Sequence, residues 1–472
     1  VLAFQFPGLC GVFVSSGFMI GTLGAWGTLL VLGIMSAVGI ILALTFCEMA
    51  TMFPENAGGT SMFLREGLRR FCIPLGVLGA FGYMLSWALA IGFNGLFVGT
   101  LIQMQWFPTS TWGVPFILGV TLGPGHFIAI GIVVMAWAVS LLGIQFTSRV
   151  SWVVGAVMIV FTLLLVIGPI VSGKLDFSAL SFSMGGGWAP FVVWLYIAAY
   201  TMFGSEASAI YTPEYKRPAY DAPRGVLSVA FFMMGATMLV GTLCAGTVGE
   251  TEIMNNPLNY GIVVAQSVYG DWIGPILTIV ICVSMAVMSV IFTNITSRAL
   301  AGMAEGGLTI KQLANLNRRG APTWAAHVVM AVNIIALLLV SNALTLTLAA
   351  NLGLVLACVL AGWSFVILRR TEPDLPRPFK LSNPLWMPLV VVVLLFTTFV
   401  FIMGVANPGL AGYGGARETI TAMVFIAVGL VFWVVRVVVQ DHQRLPWRDT
   451  SRTSAPSVAA GGEAGLEEAL GK

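Results

Sequence analysis

Apolar runs of about twenty residues recur along the whole chain, and no other feature narrows its fold so far. A helix of ~20 residues at about 1.5 Å per residue crosses the roughly 30 Å hydrocarbon layer of a bilayer. Only 9% of the residues are charged, against 58% that are hydrophobic. A soluble domain carries roughly 25% charged residues, so water cannot be the solvent of this surface and lipid can. Reading the runs against turn signals gives twelve spans, at 1–23, 27–51, 72–102, 124–145, 147–171, 188–212, 225–247, 272–303, 323–341, 345–368, 386–405 and 418–438. The expected fold is an all-α polytopic membrane protein with 12 transmembrane helices. The segment 440–472 is polar and rich in small residues, and reads as a disordered tail.

The basic residues orient these spans, because Lys and Arg collect in cytoplasmic loops. A cytoplasmic N-terminus puts Arg65, Arg69, Arg70, Lys216, Arg217, Arg224, Arg318, Arg319, Arg369, Arg370, Arg377 and Lys380 inside, with the C-terminal arginines. Only Lys174 and Arg417 then fall outside, and the loops 103–123 and 248–271 hold neither Lys nor Arg. The chain is therefore expected in the plasma (inner) membrane with both termini cytoplasmic. Val1 is not followed by a basic segment, and no cleavable signal peptide is expected.

Two spans are interrupted in the same way. The first carries Pro7-Gly8-Leu9-Cys10-Gly11, and the sixth carries Phe203-Gly204-Ser205 with Glu206 beside it. Proline and glycine weaken a helix, and backbone freed inside a bilayer must line a cavity or find partners. Five spans separate the breaks, so the second helix runs inverted to the first. Broken helices at matching positions of two inverted halves mark the central site of a transporter. The same glycines also suit close helix packing, and the residues alone leave both readings open.

Several motifs, in order over much of the chain, give a resemblance. Phe46-Cys47-Glu48-Met49-Ala50-Thr51-Met52-Phe53-Pro54, followed by Gly58-Gly59-Thr60-Ser61, resembles the end of the second helix in the amino acid–polyamine–organocation transporter superfamily. Ser297-Arg298 through Gly307, then Asn317-Arg318-Arg319-Gly320-Ala321-Pro322, resembles that family's eighth helix and the loop after it. Arg377-Pro378-Phe379-Lys380 is similar to its segment between helices ten and eleven, and Pro7–Phe13 to its break in helix one. The resemblance implies a LeuT-type five-plus-five inverted repeat plus two extra helices. Helices 1–5 would fill 1–171, helices 6–10 would fill 188–368, and 386–438 would hold helices eleven and twelve. It also implies secondary transport of an amino acid or related amine, as symporter or exchanger, by alternating access.

Candidate substrate-binding residues follow from the breaks. Unwound backbone at Gly8 and Gly11, with Leu9 and Cys10 between them, offers N–H groups to a carboxylate, and glycine permits close approach. Carbonyls of Met202, Phe203 and Gly204 would accept from a substrate ammonium. Tyr200 and Phe203 are candidate aromatic lids, or plain core. Glu206 is the acid deepest within a span, whereas Glu48, Asp271 and Glu305 lie near span ends. A carboxyl inside a membrane is costly unless paired or protonated, so Glu206 is a candidate proton carrier, or else a structural carboxyl bonded to freed backbone. Asn94, Asn294 and Asn351 are further polar candidates. Many family members carry a lysine in helix five where this chain has Met158, which cannot supply its charge. Coupling through Glu206, uncoupled exchange, or a cation site near Ser284, Ser289 and Thr293 stay open.

The expected partners are the substrate, the lipid bilayer and, as coupling ion, protons. A net charge of +3 points to no nucleic-acid partner. Cys10, Cys47, Cys72, Cys244, Cys282 and Cys358 are scattered without metal-ligand spacing, and no cofactor is expected. No phosphate loop or catalytic polar cluster appears, so neither ATP-driven transport nor an enzyme is indicated. A membrane receptor that binds an amino acid without moving it is the rival reading.

Overall fold

The structure, a computed structural model, describes residues 6–11, 16–54, 59–110, 112–116, 120–339, 343–412 and 415–450, without the side chains of 344, 345 and 383. Nearly all of it is helical. The α-helices are α1 (Gly17–Met52), α2 (Thr60–Leu68), α3 (Ile73–Trp106), α4 (Pro124–Ser140), α5 (Ile144–Val171), α6 (Trp188–Met202), α7 (Pro218–Val248), α8 (Glu250–Asn255), α9 (Tyr260–Tyr269), α10 (Ile273–Glu305), α11 (Thr323–Leu339), α12 (Ala343–Thr371), α13 (Asn383–Ala406) and α14 (Ala416–Val434). A 3-10 turn, Phe6–Gly8, precedes α1, and a 3-10 helix, Ser205–Glu214, follows α6. Among the described residues, nine helical stretches are long and apolar enough to cross a membrane, and α4 and α11 are apolar but shorter. An all-α polytopic membrane protein is what the apolar runs led us to expect.

Apolar faces left bare by the packing mark the lipid boundary. On α5 the exposed residues Val153, Val157, Val160, Leu164 and Ile167 recur at helical spacing, as Ile420, Val424, Val428 and Val431 do on α14. A stripe with this period is one face of a helix, and in water it would drive aggregation. The centre is instead built on α3, which packs against α4, α10 and α12. It approaches α12 at Gly82 and Gly353, where a Cβ on Gly353 would come within 2.3 Å of the Gly82 carbonyl oxygen. Small residues let the two backbones meet without a hydrophobic drive between helices in lipid.

The first two expected spans run on as one element with a corner in it. Gly24, at φ 70° and ψ 171°, is not helical and splits α1 into two arms. The corner frees backbone donors, and the chain before α6 supplies acceptors: Trp26 N–H donates to the Ser181 carbonyl at 3.1 Å. Glu250 completes the clamp. It accepts from the Ala25 N–H at 2.7 Å and from the N–H and hydroxyl of Ser181 at 2.7 and 2.6 Å.

Glu48, expected near a span end, lies near the end of α1 and is fully buried there. It pairs with Arg369 of α12, whose Nε lies 2.7 Å away, and with Arg377 at 3.2 Å, and it accepts the Leu381 N–H at 2.9 Å. The segment Arg377–Lys380 is thereby folded back on α1, because a buried carboxylate needs every charge-assisted partner it can reach. The segment from 440 to 450 was expected to be disordered, but it is docked. Asp441 pairs with Lys311 and Arg436, each at 2.7 Å. Asp449 pairs with Arg69 at 3.0 Å, and the Trp447 carbonyl accepts the Ile73 N–H at 3.0 Å. Residues 451–472 lie outside the described residues.

Breaking a buried ion pair from one side costs about 3–5 kcal/mol. Glu48→Gln is therefore expected to lower the melting temperature of detergent-purified protein severely, whereas Arg217→Gln, at the exposed Asp221 pair, leaves it nearly unchanged; equal effects would contradict the buried cluster. Glu250 gives a second expectation. Partial burial raises its pKa, but the Ser181 and Ala25 hydrogen bonds lower it by more, so it titrates below the usual carboxylate value. A depressed folded-state pKa stabilises above the unfolded value and is lost as pH falls through the depressed one. Melting temperature should fall on acidification below about pH 4.3, and less steeply in Glu250→Gln; identical slopes would remove the clamp from the explanation.

Candidate functional site

The second interruption expected from sequence is present, and the residues quoted for the first lie close to it. At the first, the 3-10 turn Phe6–Gly8 passes into a helical turn at residues 9–11, and α1 begins at Gly17. Residues 12–15, with Phe13 of the quoted motif, lie outside the described residues. Helix α5 packs on this break at Gly155, where a Cβ would come within 2.5 Å of the Phe6 side chain. Met158 is three residues further along α5 and fully buried.

At the second break α6 stops at Met202. Phe203 is extended, at φ −86° and ψ 173°, and Gly204 takes φ 119°, a value that L-residues rarely adopt. The chain then continues as the 3-10 helix. The Gly204 N–H, which has lost its place in the helical ladder, donates to Glu206 Oε2 at 2.7 Å. The other Glu206 oxygen is buried and accepts no hydrogen bond among the described residues. The Tyr83 hydroxyl lies beside Thr60, Trp87 and Glu206.

Between the breaks lies a cavity of about 260 Å³. Gly8, Cys10, Gly11, Tyr200, Met202, Phe203 and Gly204 line it, which is seven of the nine residues singled out from sequence. Leu9 and Glu206 are not on its wall. Leu9 is packed in the core at 2% exposure, because successive helical side chains leave on different faces. Glu206 is turned back towards its own break, where the Gly204 N–H holds it. The alternatives of aromatic lid or plain core for Tyr200 and Phe203 resolve only to position: both reach the cavity.

Sequence reasoning missed most of the wall. Helix α3 contributes Ser86, Trp87 and Phe93, α7 contributes Met233 and Thr237, and α10 contributes Met285, Met288 and Phe292. Trp87 packs at 5.1 Å from the Phe292 ring, and a Cβ on Gly204 would come within 3.4 Å of its edge. An uninterrupted apolar helix such as α3 gives no sign of which face meets a cavity. Of the three asparagines, Asn94 lines the cavity, whereas Asn351 donates to the Tyr196 carbonyl at 2.9 Å and Asn294 to the Val290 carbonyl at 3.0 Å. Ser289 and Thr293 donate to carbonyls one turn earlier, at 3.0 and 2.8 Å, and with Ser284 they lie off the cavity wall.

The wall carries no Asp, Glu, Lys, Arg or His among the described residues. It is methionine- and aromatic-rich with a few hydroxyls and one asparagine, so a charged ligand group has only backbone and neutral polar atoms to meet. Among the described residues no group of three or more His, Cys, Asp or Glu side chains could hold a metal ion.

Comparison with known proteins points the same way. A family model described as amino acid permease matches residues 1–435. The branched-chain amino acid permease BcaP of Bacillus subtilis is 25% identical over 405 residues, covering 82% of this chain and 83% of that protein. The amino-acid permease RocE of the same organism is 23% identical over 430 residues, covering 84% and 86%. An L-lysine transport protein of Corynebacterium glutamicum is 23% identical over 327 residues, covering 66% and 61%. With an apolar helical bundle, a broken helix at a cavity that Gly8, Cys10 and Gly11 also line, and a family match over nearly its whole length, the chain belongs to the amino acid permease family, within the amino acid–polyamine–organocation superfamily.

Proposed function

We propose that the protein is a secondary transporter for an amino acid with a neutral, apolar side chain, held between the broken segments at Gly8–Gly11 and Met202–Gly204. The observation that carries this reading is the convergence of both interruptions on one uncharged cavity. Backbone freed by the first break offers N–H groups to the α-carboxylate. Carbonyls of Met202 and Phe203 accept from the α-ammonium. The zwitterion then meets partial charges of opposite sign at each end, and its side chain meets Trp87, Phe93, Met285 and Met288. Twelve spans in a five-plus-five inverted repeat, 1–171 against 188–368, suit this arrangement, with 386–438 outside the repeats and both ends in the cytoplasm. Alternating access would come from rocking the elements that carry the breaks against α3 and its neighbours.

The lining also sets selectivity. A lysine or arginine side chain would bring an unpaired cation against methionine sulfurs and aromatic edges, at a cost of at least ~3 kcal/mol, or about 100-fold in affinity. Binding to purified protein, read by competition against labelled leucine, should rank leucine, methionine and phenylalanine at least about 100-fold ahead of lysine. Lysine competing as well as leucine would refute the neutral-substrate assignment.

Coupling is assigned to Glu206. One of its oxygens is held by the Gly204 N–H, and the other has room for a proton, so protonation changes the charge beside the break without moving the chain. Met158 supplies no ammonium at helix five, and Glu206 is left as the titratable group at the second break. In proteoliposomes, Glu206→Gln is expected to abolish accumulation of leucine driven by a pH gradient while exchange of leucine for leucine persists. Gradient-driven accumulation surviving in this variant would return Glu206 to a structural role.

A further inference from the structure

A second cavity, of about 390 Å³, lies between α5, the 3-10 helix after the second break, and α10. It shares Ile291 and Ile295 with the central cavity, so two isoleucines of α10 form a common wall. Its other lining differs in kind. Gln145, Ser148 and Arg149 come from the first turns of α5, and Tyr211 and Glu214 from the 3-10 helix. The start of α5 belongs to the side that the Lys/Arg distribution assigns to the cytoplasm.

The charges in this cavity do not cancel. Glu214 is bound by Arg298 of α10 at 2.6 Å, and Arg298 is also fixed by the Asn294 side chain at 2.9 Å and lies over the Tyr211 ring. That acid is therefore engaged. Arg149 makes no hydrogen bond or ion pair among the described residues. A guanidinium at the mouth of a low-dielectric cavity, flanked by a neutral amide and a hydroxyl, matches a carboxylate, which it binds bidentately. It also raises the local concentration of anions in the cavity.

We propose that Arg149, with Gln145 and Ser148, forms a second substrate subsite on the inner side of Ile291 and Ile295, which holds the carboxylate of the amino acid before it enters or after it leaves the central site. This rests on the transporter reading. The subsite exists only on one face, so its loss changes the two faces unequally.

The test uses proteoliposomes of determined orientation and labelled leucine in exchange. Arg149→Gln should raise the internal half-saturation concentration about three- to tenfold relative to the external one, and Arg149→Lys should recover much of that ratio. An unchanged ratio, or loss of flux with the ratio intact, would overturn the subsite. A binding measurement stands apart from flux. N-acetylleucine keeps the carboxylate and lacks the ammonium, and it should raise the melting temperature of purified wild-type protein but not of Arg149→Gln. Equal stabilisation of both, or of neither, would also overturn the subsite. Absence of any leucine flux in wild type would count against the transporter reading, while N-acetylleucine stabilisation that depends on Arg149 would still report a carboxylate site. If Arg149→Gln does not fold, Ser148→Ala and Gln145→Ala together should shift the same ratio in the same direction, and no shift would count against the proposal.

Discussion

The hydrogen bond from the Gly204 N–H to Glu206 is small, yet the second break depends on it. A helix can be opened within a membrane only where its freed backbone groups find partners or line a cavity. Gly204 supplies a backbone angle closed to side-chain-bearing residues, and the next acid along the chain supplies the acceptor. With those two residues in place, α6 can stop at Met202, beside the cavity. The same rule governs the outer corner of α1, where Gly24 opens the helix and Glu250 collects the donors. At both of these points a glycine opens the helix and a carboxylate takes up freed donors.

Around these openings the helices are joined by close backbone contact and buried ion pairs. Helix α3 passes through the centre and touches α12 backbone to backbone at Gly82 and Gly353. On the side assigned to the cytoplasm, Glu48 gathers Arg369, Arg377 and the Leu381 N–H, which ties α1 to α12 and to the segment before α13. Such a pair, buried from both sides, adds little net stability over an apolar contact but is costly to break. Its effect is to fix where the arms of α1 end, and hence where the broken segments stand relative to α3.

The sequence was informative where a local rule forces an outcome. Apolar length located the helices, and Phe203-Gly204 announced the second break, since few other contexts tolerate such a pair inside a span. The quoted motifs led to the family. The rest depended on the third dimension. Nothing local marks Trp87 or Phe93, which lie in a continuous apolar run whose faces cannot be told apart until the neighbours of α3 are known. Glu48 looks like an end-of-helix acid, and its partners Arg369 and Arg377 lie 321 and 329 residues further along the chain. Glu206 was identified as the acid beside the second break, and its side chain lies off the cavity wall, where the Gly204 N–H holds it. The polar stretch 441–449 has a disordered composition, but it carries the ionic partners Asp441 and Asp449, which composition does not weigh.

Cys10 offers a direct reading of the central site, since it lines the cavity at the first break while Cys72 lies off the wall. The measurement is the rate at which N-ethylmaleimide alkylates each cysteine of purified protein, followed by mass spectrometry with and without saturating leucine. A substrate seated between Gly8–Gly11 and Met202–Gly204 requires that leucine slow the labelling of Cys10 severalfold and leave Cys72 unchanged. Cys10 labelled at the same rate in the presence of an amino acid shown to be transported would contradict it.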